Sequence, residues 1–361
     1  MNNTNLFFKR KLRQICSGTG LIALDVVINN HNKNEPYFMA GGSCGNVLII
    51  LSYLGWDAFP IGRLKRGNFS EFILKDMKRW GVNTSFLKYD EKASTPVIIE
   101  KVRQNGNGDL THTFSFYCPT CDSFLPRYRP ITIKQIDSFF YKIPQSDVCY
   151  IDRVSSGALD YAKKSKKNGS IIFFEPTKIN GDNQFREILE ISDILKYSND
   201  ITISDKKIIE QCSIPLIIET RGSLGLTFNL IDESGIKRKW KNMKAFPITD
   251  SVDTAGSGDW CSAGIIHILK MGNVQKIDQL DEKIVKKALR FGQALAGLNC
   301  KFYGARGSMY ALSKSKFQQS IIEILNKENC IINQNILKTE KPKRKAGYCP
   351  ICNEKIKIKN S

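Results

Sequence analysis

Histidine is scarce in this 361-residue chain, with three in all. His31, His112 and His267 are scattered, nothing in their spacing marks a metal ligand, and His267 is expected to pack within its helix. No apolar run approaches the roughly 18 residues that span a bilayer. Met1 to Arg13 also lacks the apolar stretch of a signal peptide, so a soluble, cytoplasmic protein without a membrane partner is expected. Acidic residues are outnumbered 35 to 54 by Lys and Arg, which gives a net charge of +19. That charge attracts polyanions and keeps nucleic acid among the partners to consider. Much of the excess lies in Lys9-Arg10-Lys11 and in Lys341 to Lys345, which read equally well as solvated tails. The cysteines number eleven, an odd count without an export signal, which argues against a disulfide framework. Most are single and apolar in context, like Cys149, and are expected to be small buried hydrophobes.

What is present is ordinary globular composition, enough for one large α/β domain or two smaller ones. Thr19 to Val27 reads as the first strand. Gly41-Gly42-Ser43-Cys44-Gly45-Asn46 opens an apolar helix from Val47 to Leu54, and Phe69 to Trp80 reads as a second helix. Pro96 to Val102 and Thr111 to Tyr117 flank Asn105-Gly106-Asn107-Gly108-Asp109, a hairpin signature. From Val148 onward strands and helices alternate: strands at Val148–Ile151, Ile171–Phe174 and Pro215–Glu219, helices at Ser156–Lys167 and Phe185–Ile191. Later helices run to Met271, from Glu282 to Asn299 and near Lys314 to Lys327. Such alternation predicts a mostly parallel, helix-covered sheet, and the early β excursion predicts a lid.

Asp253-Thr254-Ala255-Gly256-Ser257-Gly258-Asp259 leads into a helix that is apolar on nearly every face. A glycine turn at a helix start presents unpaired N–H groups at the positive end of the helix dipole, which makes an anion site. Asp259 places a carboxylate beside it. That carboxylate can take a proton from an attacking hydroxyl while the Gly256, Ser257 and Gly258 amides stabilise a transferring phosphoryl group. Its pKa is expected to stay low near the helix N-terminus. The plainer alternative is that Asp253 caps the turn and Asp259 merely favours the dipole.

This loop resembles the Asp-Thr-x-Gly-Ala-Gly-Asp signature of the ribokinase, fructokinase and adenosine kinase family (PfkB-type), with Ser257 in the usual alanine place. Gly41-Gly42 with Asn46, Gly62-Arg63-Leu64, Gly81-Val82-Asn83-Thr84, Thr220-Arg221-Gly222-Ser223-Leu224-Gly225 and Asn299 to Ala305 resemble further family segments in the right order, from Gly18 to Leu325. The resemblance implies a ribokinase-like three-layer α/β domain over 14–332, with a central, mostly parallel sheet flanked by helices. It implies a small β lid near 28–40 and 95–120, and leaves 333–361 as a basic tail. It further implies ATP and Mg²⁺ as cofactors. Asp25, Gly41, Gly42 and Asn46 would bind a sugar or nucleoside acceptor, and Thr220, Gly222, Gly225, Asn299 and Gly304 would lie along the nucleotide. Asp253 would sit near Mg²⁺ through the phosphates. The family's Lys-Pro-Asn-x-x-Glu is replaced by Lys196-Tyr197-Ser198-Asn199-Asp200-Ile201, where Asn199 or Asp200 are the available substitutes. Lys65-Arg66 stands where the family has an acidic pair; an acceptor already carrying phosphate and a degenerate surface loop are the two explanations.

Cys118-Pro119-Thr120-Cys121 and Cys349-Pro350-Ile351-Cys352 are near copies of a zinc knuckle, because the tight turn lets two thiolates meet one ion. Together they would complete a structural Cys₄ zinc site; because the first directly follows the expected lid strand Thr111 to Tyr117, zinc would pin the basic C-terminal tail near the acceptor site. A redox dithiol and independent surface turns are the alternatives. Two functions follow: an ATP-dependent kinase with Asp259 as general base, or a degenerate kinase fold that binds nucleic acid or protein. A homodimer through the lid is the remaining partner expectation.

Overall fold

Short runs of β-branched and aromatic residues, each followed by a helix with one apolar stripe, are buried on both faces and stack into a helix-covered sheet. A computed structural model describes residues 8, 13–28, 36–104, 110–178, 182–200, 202–231, 239–271 and 280–329. In spatial order the main sheet runs β13 (Lys241–Met243), β12 (Leu226–Leu230), β11 (Leu216–Thr220), β10 (Ile194–Ser198), β9 (Ile171–Phe174), β8 (Val148–Ile151), β1 (Ile15–Thr19), β4 (Asp57–Leu64) and β5 (Leu87–Tyr89). All neighbours from β11 to β5 are parallel, and β12 alone runs against both its partners.

Strand periodicity divides the core between the two faces. Tyr150, Phe173, Leu216 and Ile218 join one cluster with α1 (Ser43–Tyr53), α7 (Ser257–Met271) and α8 (Glu282–Asn299). Cys149, Ile151, Ile172, Phe174 and Ile217 join the other, against α3 (Ile133–Phe139), α4 (Ser156–Lys167) and α5 (Asn183–Ile191). The result is a three-layer α/β fold, as the alternation predicts. The helices α2 (Asn68–Arg79), α6 (Ile203–Glu210), α9 (Gly307–Ala311) and α10 (Lys314–Lys327) complete the described body.

A second sheet orders β3 (Tyr37–Gly41), β2 (Ala23–Ile28), β6 (Val97–Gln104) and β7 (Leu110–Ser115). Here the structure corrects one expectation. Thr19 to Val27 is not one strand: β1 ends at Thr19 in the main sheet, and β2 begins at Ala23 in the small one. The chain changes sheets at Gly20–Leu21, where Asp152 at the end of β8 accepts the Leu21 N–H at 3.0 Å. Asp25 is therefore carried by the small sheet and pairs with Met39 and Ile98. Helix α1 likewise begins at Ser43 rather than Val47, directly after Gly42 at φ 76°.

Candidate active site

The turn before α7 is braced by the first residue of its own motif. Both carboxylate oxygens of Asp253 are engaged by backbone: Oδ1 accepts from Ala255 N at 2.9 Å and Oδ2 from Gly304 N at 2.7 Å. Gly256 takes φ 71°, and a Cβ there would sit 2.3 Å from the Ala305 carbonyl oxygen, so only glycine lets the turn approach residues 304–306. Trp260 Nε1 donates to that same Ala305 oxygen at 3.0 Å. Ser257 N–H turns back onto Thr254 O at 3.2 Å, so it is engaged inside the turn. Among the described residues the Gly256 and Gly258 amides have no backbone acceptor, which leaves two donors at the helix start for an anion.

Asp259 lies half-buried beside them, and its Oδ2 accepts from Asn46 Nδ2 at 2.8 Å. Its pKa is pushed up to about 8, against the expectation of a low value. Burial is the main cause, with the negative charge of Glu175 adding to it; the Asn46 hydrogen bond and the Lys196 charge pull the other way and lose. A helix dipole worth a fraction of a kcal/mol does not offset removal from water. Behind the turn, Glu175 forms an ion pair with Lys196, accepts from Tyr150 Oη at 3.0 Å and also accepts from Ser262 Oγ. Lys196 Nζ donates to Gly258 O at 3.2 Å, which ties β10 to the anion turn.

Asp25, Gly41, Gly42 and Asn46, implied by the resemblance for the acceptor, converge on the same spot. Gly41 closes β3 opposite Ala23, and a Cβ on it would fall 1.8 Å from Asp25 Oδ2. Asp25 Oδ1 is buried without a partner, and burial raises that carboxyl to about 7 in spite of Arg306 and the Gly42 N–H. Asn46 stands in the first turn of α1, with Asp259 on one side and Arg306 on the other. Arg306 is fully buried: Nε donates to Asn46 Oδ1 at 3.0 Å, and Nη2 reaches Ala40 O and, at 3.2 Å, Asp76 Oδ2. Tyr310 Oη holds Asp76 at 2.8 Å. Asp152, buried at the end of β8, adds a carboxyl whose pKa is raised by its burial.

Two residues of the small sheet touch the turn. Glu100 on β6 is buried, and burial, followed by the nearby negative charge of Asp253, keeps its carboxyl well above the usual carboxylate range. His112 on β7 lies 3.0 Å from Thr254 Oγ1, so it has a place that its sequence context did not suggest. Of the residues implied for the nucleotide, Thr220 ends β11 beside Ser198, its Oγ1 donating to Tyr197 O at 3.2 Å, and Gly222 opens at φ 54° with nothing near its Cβ position. Gly225 faces Met243 O, and Gly304 faces Met39. Asn299, implied to lie along the nucleotide, has a bracing role. Fully buried, its Nδ2 donates to the Ala255, Gly304 and Ala305 carbonyls, and its Oδ1 accepts from Ser308 at 2.9 Å, so it staples the turn to residues 304–308.

Asn199 and Asp200 are exposed, Asp200 accepting from Ser198 Oγ at 3.0 Å. Lys65 and Arg66 are exposed too, with Arg66 stacked 4.1 Å over Tyr89. Cys118 is buried, its Sγ accepting from Thr120 N at 3.4 Å in a tight turn, and Cys121 is half-buried. Cys349 and Cys352, His31 and the 333–361 tail lie outside the described residues. Among the described residues no group of three His, Cys, Asp or Glu side chains is arranged to hold a metal ion. Nor is any helix among them long and apolar enough to cross a membrane.

Residues 19–115 match the family described as pfkB family carbohydrate kinase. A probable fructokinase-3 of Arabidopsis thaliana is 23% identical over 293 residues, 76% of this chain and 81% of the relative. Ketohexokinase of Mus musculus is 23% identical over 312 residues, 80% of this chain and 96% of the relative. Among solved structures, ribokinase from Giardia lamblia superposes with a TM-score of 0.63 at 16% identity, covering 87% of this chain and 99% of the other.

Proposed function

We infer that this chain, a ribokinase-like protein of the PfkB type, is an ATP-dependent kinase that phosphorylates a hydroxyl group of a sugar or nucleoside. The observation that carries the reading is the meeting of Asp259 with two free turn amides and with Asn46 of the acceptor side. The acceptor hydroxyl attacks the γ-phosphorus, a new P–O bond forms, the bond to the β–γ bridging oxygen breaks and ADP leaves. The hydroxyl proton goes to Asp259. The Gly256 and Gly258 amides stabilise the charge on the transferring group, a contribution of roughly 10²–10³ in rate per donor. Asp25, freed of a Cβ clash by Gly41, accepts from an acceptor hydroxyl through its unpartnered oxygen. Thr220, Gly222 and Gly225 border the nucleotide, and the small sheet covers the site through Glu100 and His112.

Mg²⁺ would enter on the nucleotide's own phosphates, neutralising their charge. Asp253 has both oxygens committed to backbone amides, so it does not fit a direct ligand. We place the kinase domain at 14–332, in the cytoplasm, with 333–361 as an appended tail. A zinc bridge from Cys118 and Cys121 to Cys349 and Cys352 is a separate proposal. One zinc per chain, lost in both Cys118→Ser and Cys349→Ser, supports it; zinc retained in both variants removes it. Exposed Phe114, Phe116 and Tyr117 along the small sheet favour a homodimer there, testable by mass in solution.

The assembled base and anion turn argue against a degenerate nucleic-acid- or protein-binding module. The test of the kinase reading is ADP release on a panel of sugars and nucleosides. Acceptor-dependent release is expected for at least one; salt-sensitive nucleic-acid binding with no ADP release from any acceptor would favour the module instead.

A further inference from the structure

Arginine has five N–H donors and no acceptor, whereas an asparagine amide presents an oxygen on one side and an NH₂ on the other. Arg306 Nε meets Asn46 at 3.0 Å, so only the amide oxygen can face it. The NH₂ must then face the other way, and there it meets Asp259 Oδ2 at 2.8 Å. Arg306 itself has little freedom. It is fully buried, its Nη2 is shared between Ala40 O and Asp76, and Asp76 is fixed by Ala40 N at 2.9 Å and by Tyr310 Oη. The backbone just before Arg306 is stapled to the anion turn, Gly304 through Asp253 and Ala305 through Asn299.

We propose that Arg306 is a positioning residue for phosphoryl transfer: it fixes the orientation of the Asn46 amide and thereby keeps an N–H donor on the Asp259 carboxylate. The proposal rests on the reading of Asp259 as the base. With a donor always facing it, the ionised form of Asp259 is favoured over the protonated form, whose O–H would find no acceptor in Asn46. The other charged groups facing Asp259 are Glu175 after β9, Lys196 on β10 and Asp152 after β8. Those facing Arg306 are Asp25 on β2, Asp76 on α2 and Tyr310 on α9.

The test is the pH profile of acceptor kcat/KM at saturating ATP in the full chain. Arg306→Gln can accept as well as donate, so the Asn46 amide is released. The midpoint of the acid limb is expected to move up by about one pH unit, with activity at pH 7 down on the order of tenfold. Arg306→Lys, still donor-only, keeps the wild-type midpoint. The losses of Arg306→Gln and Asn46→Leu are expected to be strongly non-additive. Because Arg306→Gln leaves Asp76 buried without its cation, the Asp76→Asn, Arg306→Gln double variant provides a second measurement, and the same midpoint shift is expected. An unmoved midpoint, or additive losses, would overturn the proposal. Wild-type turnover in Asp259→Asn would instead sink the base itself, whereas an inactive Asp259→Asn with an unmoved Arg306→Gln midpoint sinks only the role of Arg306.

Discussion

The raised pKa of Asp259 makes a quantitative prediction for activity. The perturbation is pH. With a carboxyl held at about 8, roughly 1% of the base is ionised at pH 6 and about half at pH 8. Ionisation of Asp259 alone should therefore raise acceptor kcat/KM ~50-fold between those values, with a limiting slope near one per pH unit. Burial sets this displacement, and bound ATP adds negative charge in the same direction, so the midpoint lies at or above 8 when the nucleotide saturates. Asp25, with its carboxyl near 7, adds a second ionisation at neutrality that steepens the rise between pH 6 and 8, and Asp25→Asn removes that step while the first remains. The assay is coupled ADP release in buffers of constant ionic strength, at low acceptor concentration and saturating ATP. A profile flat from pH 6 to 8 would refute the reasoning, because it requires a base already ionised at pH 6.

Other perturbations separate the parts of the site. Gly41→Ala puts a methyl 1.8 Å from Asp25 Oδ2, so acceptor KM should rise by on the order of tenfold or more while ATP affinity is kept; titration calorimetry with each ligand checks the split. Glu175→Ala strands the buried Lys196 ammonium, and thermal or urea unfolding should show a loss of about 3–5 kcal/mol. For Asp259→Asn the linkage sign follows from a folded pKa above the unfolded one. The native state holds the extra proton between about 4 and 8, so the wild-type carboxyl costs stability as pH rises through that window. The variant should gain about 1–3 kcal/mol at pH 8.5 and little at pH 4, measured by unfolding at both.

Local patterns foretold much of the architecture. The helix at Ser156–Lys167 and the strands at Val148–Ile151 and Ile171–Phe174 stand where their periodicity puts them, because each is a complete apolar stripe or run. The change of sheet at Gly20–Leu21 was not legible, since nothing within Thr19 to Val27 records that Asp152, 131 residues away, holds the Leu21 amide. The site divides the same way. Asp259 and its glycines share one short motif whose chemistry is local. Glu175, Lys196, Asp152 and Glu100 read as ordinary charges at strand ends or within strands, and only folding removes them from water beside the turn. Arg306 meets Asn46 across 260 residues of sequence, with no local sign that an arginine among small residues is wholly buried. The low pKa expected for Asp259 failed because the dipole is a property of the helix, whereas burial and Glu175 belong to the fold.

The central claim is that Asp259 takes the proton from the attacking hydroxyl. Transfer of labelled γ-phosphate from ATP to an active sugar or nucleoside, compared between wild type and Asp259→Asn at pH 8, tests it most directly. The account predicts a loss of roughly 10²–10⁴-fold with nucleotide binding intact. Transfer by the variant at the wild-type rate would contradict it.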